Sequence, residues 1–206
     1  MKITDYIDTL NTEIDPKYYT VVVAALTYFF AKKKRYTEIS TQNRFSILAA
    51  CEQPETIVKI NYCGKNRQLP QTGQMWLEYE ILTKPQLSTG VFCRTTSYRE
   101  EKNPIEGRHM VCFPLFEFET LGTFEYLLEL LDELLEFLGY SKAVHLDCSE
   151  MNKKYKTNSL EHEHEQKMYD EYGAACFLKH FRYEDNPFWN MKFNDEGTIA
   201  SKVDVL

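Results

Sequence analysis

After Pro16 the apolar residues Tyr19, Val22, Val23, Leu26, Phe29 and Phe30 recur at helical spacing. A proline is tolerated in a first helical turn, so the pattern predicts a helix that starts at Pro16 and is mostly buried. Tyr36-Thr-Glu-Ile-Ser-Thr41 then alternates as a strand, and Ile57-Val-Lys-Ile-Asn-Tyr62 does so more weakly. Helical spacing returns over 75–82, just behind Gly73. Residues 90–99 and 109–119 both alternate, and Asn103, Pro104 and Gly107 between them are turn formers, which predicts a β-hairpin with a long tip. The strongest helix covers 123–138. Leu127, Leu128, Leu131, Leu134, Leu135 and Leu138 lie on one face and Glu125, Glu129, Glu133 and Glu136 mainly on the other, with Gly139 as the stop. That leucine face is read as core packed across a sheet. A helix from Leu160 to about Tyr172 and strands over 175–180 and 199–206 complete the chain. With no internal repeat and no low-complexity linker, the whole of 1–206 is expected to form a single α+β domain, an antiparallel β-sheet flanked by helices.

Composition narrows the function classes. At 206 residues with 43% hydrophobic and 14% aromatic content the chain can bury one sizeable core. A balance of 24 basic against 31 acidic residues, net -7, argues against sequence-independent adhesion to nucleic acid over the whole surface. Lys32-Lys33-Lys34-Arg35 fits a helix end, where cations complement the dipole. The 6 cysteines are dispersed without metal-ligand spacing, which suits reduced thiols in a cytoplasmic protein. The most apolar run, 18–31, is ~14 residues against the ~20 a membrane span needs, so no membrane is expected. Neither His162 with His164, which point ~200° apart on a helix, nor His145 beside Asp147 and Cys148 makes a metal or nucleophile site, and no metal ligand is predicted.

The hairpin carries the chemistry. Side chains on strands repeat with a period of two, so Arg99 and Glu101 share a face, as do Phe113 with Leu115 and Glu117 with Glu119. A guanidinium matches phosphate or carboxylate oxygens two at a time, and an aromatic ring offers a base a platform. These residues could hold a nucleotide. They equally suit a surface hairpin with cross-strand ion pairs and a half-buried aromatic face, and residue types alone leave both readings open.

The order of the residues resembles motif 2 of the class II aminoacyl-tRNA synthetases, most like the asparaginyl and aspartyl branch: Tyr98-Arg99-Glu100-Glu101, a loop, Arg108-His109, then Phe113 and Glu117. Tyr36-Thr-Glu-Ile-Ser-Thr41 and the helix before it are similar to motif 1, and Thr72-Gly-Gln-Met-Trp-Leu-Glu78 to that branch's S-G-Q-x-x-L-E segment. Leu160-Glu-His-Glu-His-Glu165 and Asn186-Pro-Phe-Trp-Asn-Met-Lys192 resemble the segments before motif 3. Gln42 stands where motif 1 has proline, and Cys112 where a glutamate precedes the stacking phenylalanine. The glycine-rich motif 3 with its arginine is expected beyond Leu206, and no anticodon-binding domain is expected within the chain.

The resemblance implies a ligase that activates asparagine or aspartate with ATP and Mg²⁺ as an aminoacyl-adenylate. Arg99 would bind the α-phosphate and the amino-acid carboxylate, Glu101 the adenine amino group, and Phe113 would stack on the ring. Arg108 and His109 would approach the outer phosphates. Gln74, Glu78 and Glu117 would hold the amino acid. Glu78 after Leu77, where the aspartyl type has a lysine before the glutamate, tilts the substrate towards asparagine. A homodimer is implied, and tRNA as acceptor is left open. Two alternatives keep the same fold: an ammonia-dependent asparagine synthetase, and an inactive synthetase-like binding or regulatory protein.

Overall fold

The computed structural model describes residues 14–45, 54–102, 104, 110–185 and 191–206, which fall into two compact units divided between Leu121 and Gly122. In the first, helix α1 (Pro16–Tyr28) starts as the sequence predicts, with Pro16 in its first turn and the Asp15 side chain accepting from the Lys17 amide at 2.8 Å. It ends in a widened π turn, Phe29–Lys33, after which Arg35 adopts a left-handed backbone (φ 59°). The widening turns two consecutive rings inward. Phe29 and Phe30 are buried, and Phe30 stacks on Phe118 (4.7 Å between centroids) and Phe116 (5.5 Å).

The expectation of a mostly buried helix is therefore corrected. No residue within α1 itself is buried, and Tyr18 and Val21 are 74% and 68% exposed. Full burial begins only at the end of the helix, and the apolar stripe ahead of it borders the sheet without being fully covered. Lys33 and Lys34 of the basic run lie over the Phe29 ring, at the helix end the sequence predicts.

Strands β1 (Thr37–Glu38), β4 (Val91–Tyr98) and β5 (Cys112–Glu119) form a sheet in the order β1-β4-β5. β4 and β5 are antiparallel with Cys93 opposite Glu117 and Ser97 opposite Phe113, the predicted hairpin, whereas β1 runs parallel to β4. Phe92 and Phe116 stack at 5.3 Å on the face that receives Phe30. On the other face helix α2 (Gln74–Thr83) packs Leu77 and Ile81 against Val91 and Cys93. A separate hairpin, β2 (Lys59–Tyr62) and β3 (Lys65–Gln68), lies between β1 and α2 in sequence; β3 has no apolar residue and escaped prediction. Glu80 on α2, 3% exposed, is held by Arg44 (2.9 Å) and Lys84, and Arg44 lies 4.7 Å over Trp76. Lys84 and burial pull its carboxyl in opposite directions, and the cations win: it sits below the ordinary carboxylate value.

The second unit is a sheet covered on both faces. Helix α3 (Phe124–Phe137) has its four predicted glutamates exposed. Strands β6 (Val144–Asp147), β7 (Cys176–Arg182) and β8 (Ile199–Val205) pair in that order, β6 parallel to β7 and β8 antiparallel to it. Leu128, Leu131 and Leu135 of α3 pack on Phe177, Ala143 and Ala175. On the opposite face Met151 of helix α4 (Cys148–Tyr155) and Met168 of helix α5 (His162–Tyr172) pack with Leu146, Leu178 and Phe181. α4, polar over most of its length, escaped prediction; Asp147 caps it by accepting from the Ser149 amide at 2.9 Å. His164 caps α5 through Nδ1 and is buried, while His162 is 63% exposed, so the two rings point apart as their spacing requires.

Gly90 has φ +138°, and a Cβ there would fall 2.6 Å from the Tyr36 ring. Gly90→Ala is expected to destabilise the protein by on the order of 2–3 kcal/mol, read as a lower urea midpoint at unchanged slope.

Candidate functional site

Residues directly opposite in an antiparallel ladder share a face, so Val91, Cys93, Thr95 and Ser97 side with Glu119, Glu117, Leu115 and Phe113. Arg99 continues that face: its amide donates to Val111 O at 2.8 Å, its Nε donates to Ser97 Oγ at 3.1 Å, and its guanidinium lies 5.8 Å from the Phe113 ring. The strand pairing thus brings together a cation and an aromatic platform that are 14 positions apart in sequence. Glu101 comes two residues later and is half-buried. Arg108 and His109 lie outside the described residues.

The other predicted residues meet at the start of α2. Glu117 Oε2 accepts from the Gly73 amide at 2.7 Å and Oε1 from the Thr72 hydroxyl. The same hydroxyl accepts from the Gln74 amide at 3.0 Å, and Gln74 Nε2 donates to Glu78 Oε1 at 3.2 Å. Gln74, Glu78 and Glu117 therefore form one hydrogen-bonded group. Leu77 is fully buried against Ile81, Val91 and Cys93, so the residue beside Glu78 in sequence belongs to the core.

Four residues of this group were not singled out as site residues from sequence. Thr72 supplies the second contact to Glu117. Gly73 is required by crowding: a Cβ there would sit 2.7 Å from Cys93 Sγ and 3.0 Å from Glu117 Oε2. Burial pushes the Cys93 thiol up to about 12, helped by the charge of Glu117, whose Oε2 is 3.7 Å from the sulfur. It stays a neutral thiol. Glu119 is the fourth. Burial, with the charges of Glu78 and Glu117 added, pushes its carboxyl up to about 8, and a hydrogen bond from Gln74 only partly opposes the rise. The shared parity of Glu117 and Glu119 was visible in the sequence; that α2 would lay Glu78 over both was not.

No family model matches the chain, and no curated protein matches it. Solved structures do. Asparaginyl-tRNA synthetase from Pyrococcus horikoshii, complexed with asparaginyl-adenylate, superposes with a TM-score of 0.72 at 18% identity over 91% of this chain and 49% of that one. The chain has the fold of a class II aminoacyl-tRNA synthetase catalytic core. Asparaginyl-tRNA synthetase from Entamoeba histolytica matches with a TM-score of 0.66 at 20% identity over 89% of this chain and 48% of that one. Aspartyl-tRNA synthetase from the same organism gives 0.64 at 14% over 91% and 42%. The synthetase-like chain thus spans about half the length of these structures. None of its described helices is long and apolar enough to cross a membrane.

Glu119 gives this fold a pH signature. Its carboxyl titrates near 8 when folded and near its ordinary value of 4.5 when unfolded, so its contribution to stability is greatest below that ordinary value and is lost as pH rises towards 8. Glu119→Gln is expected to flatten the decline in urea midpoint across that window, and an unchanged decline would place its source elsewhere. Gly73→Ala should displace Cys93 or Glu117 and loosen the start of α2, read as a lower urea midpoint at unchanged slope.

Proposed function

We propose that this chain activates asparagine, using ATP, to form an aminoacyl-adenylate. The observation that carries the reading is the shared face of β4 and β5, with Arg99 and Phe113 at one end and the Gln74, Glu78, Glu117 and Glu119 group at the other. Solved neighbours of this fold were complexed with asparaginyl-adenylate. The phosphates would meet Arg99, whose fork can bridge the α-phosphate and the amino-acid carboxylate, hold them in line and stabilise charge as pyrophosphate leaves. Phe113 would stack on adenine and Glu101 would accept from its amino group. Arg108 and His109 would approach the outer phosphates, as the resemblance implies.

The carboxylates favour asparagine over aspartate. Burial, with the charges of Glu78 and Glu117 added, keeps Glu119 protonated up to about pH 8. A third carboxylate from an aspartate side chain would meet the same repulsion, whereas an amide can donate to Glu78 and the α-ammonium is attracted by the cluster. Magnesium fits these carboxylates poorly: Glu117 is committed to Gly73 and Thr72, Glu78 to Gln74, and Glu119 is neutral. The ion expected from the family would ride on the phosphates. The reading extends to a homodimer through the exposed stripe of α1, where Tyr18, Tyr19, Val22 and Leu26 border a hollow of about 290 Å³ with Arg94 and Phe116.

Amino-acid-dependent ATP–pyrophosphate exchange tests the activity. Asparagine should support exchange more than aspartate, and Arg99→Ala should lower it by at least about a hundredfold. Absence of exchange with either amino acid in folded protein would overturn the reading. Val22→Glu is expected to shift sedimentation towards monomer.

A further inference from the structure

The second unit carries a basic hollow that adenylation does not use. Ser149, Asn152, Lys153 and Lys156 project from one face of α4 and its C-terminal cap, and Thr157, Asn158 and Arg182 complete a cavity of about 510 Å³. No acidic side chain lines it. Arg182 is neutralised by Asp185, at 2.7 Å from Nε and 3.1 Å from Nη2. The ammonium groups of Lys153 and Lys156 have no ion-pair partner among the described residues, whereas Lys154 between them is tied to Glu171 and Tyr172. Lys153 stands in the last turn of α4 and Lys156 at its cap, where cations complement the helix dipole, and in a chain of net charge -7 they concentrate positive charge at this end of the helix.

One further observation bears on the hollow. Lys156 occupies the left-handed cap of α4 (φ 55°), a position where glycine is the easy choice. The chain accepts the steric cost of a side chain there and so keeps a cation at the rim of the hollow.

We propose that this hollow binds a phosphate group, held by Lys153 and Lys156 with the Ser149 hydroxyl beside it. Its volume is in the range of small-molecule pockets, so the phosphate belongs to a larger body, either a mononucleotide or a polynucleotide backbone. The test titrates inorganic phosphate, AMP and an unphosphorylated single-stranded oligonucleotide into the full chain and into Lys156→Gly and Lys153→Gln. Lys156→Gly should melt no lower than the parent, since glycine suits the cap, which separates lost binding from lost folding. Weakening of phosphate and AMP by about tenfold or more in both variants identifies a free phosphate ester as the ligand class. Weakening of the oligonucleotide alone, with a shallower salt dependence, identifies a polynucleotide backbone. Binding of every probe unaltered by either substitution, or no binding to the parent below about 10 mM, overturns the proposal.

Discussion

The candidate site depends on one carboxylate. Glu117 leaves β5 and is received by the Gly73 amide and the Thr72 hydroxyl at the point where α2 begins. A carboxylate at a helix N-terminus meets unsatisfied N–H groups and the positive end of the dipole, so this contact fixes the helix over the sheet. Gly73 makes it possible by having no side chain, because Cys93 and Glu117 already fill the space a Cβ would take. Glu78, one turn into α2, and Gln74 at its start are placed by the same contact.

Charge divides the hairpin face into two ends. One end carries Arg99 over Phe113 and the other carries three glutamates, Glu78 and Glu119 bonded to Gln74 and Glu117 to Thr72 and Gly73. Three charged carboxylates could not share that volume cheaply, and the structure resolves the conflict by leaving Glu119, the most confined, in its neutral form at physiological pH. A positive end and a negative end on one face is the polarity that the proposed joining of asparagine to a nucleotide would call for.

The second unit shows a different use of polar residues. Its sheet is sealed by leucines of α3 on one face and by Met151 and Met168 on the other, so α4 needs few apolar residues to be held. The remaining face of α4 is free to collect Ser149, Asn152, Lys153 and Lys156, and a lysine rather than a glycine stands at the strained cap.

The sequence by itself determined the local periodicities and the order of chemistry-bearing residues. The glutamate face of α3, the start of α1 at Pro16 and the β4–β5 hairpin are short-range patterns that appear as read. Of the predicted leucine face, Leu128, Leu131 and Leu135 reach the core, Leu138 is exposed, and the buried residue of the helix is Leu130, which was not on that face. Arg99, Phe113, Gln74, Glu78 and Glu117 were legible because their order resembles a known motif set. Periodicity does not say what covers a stripe, which is why α1 was taken for core and stands exposed. Nor could it find β3 or α4, whose polar sequences are held by neighbours rather than by their own pattern. Only tertiary structure decided that Gly73 had to be glycine, that Glu119 would lie among other carboxylates, and that Lys153 and Lys156 would face Arg182. Each of these is a distance between residues far apart in the chain, and burial and charge act through distance in space.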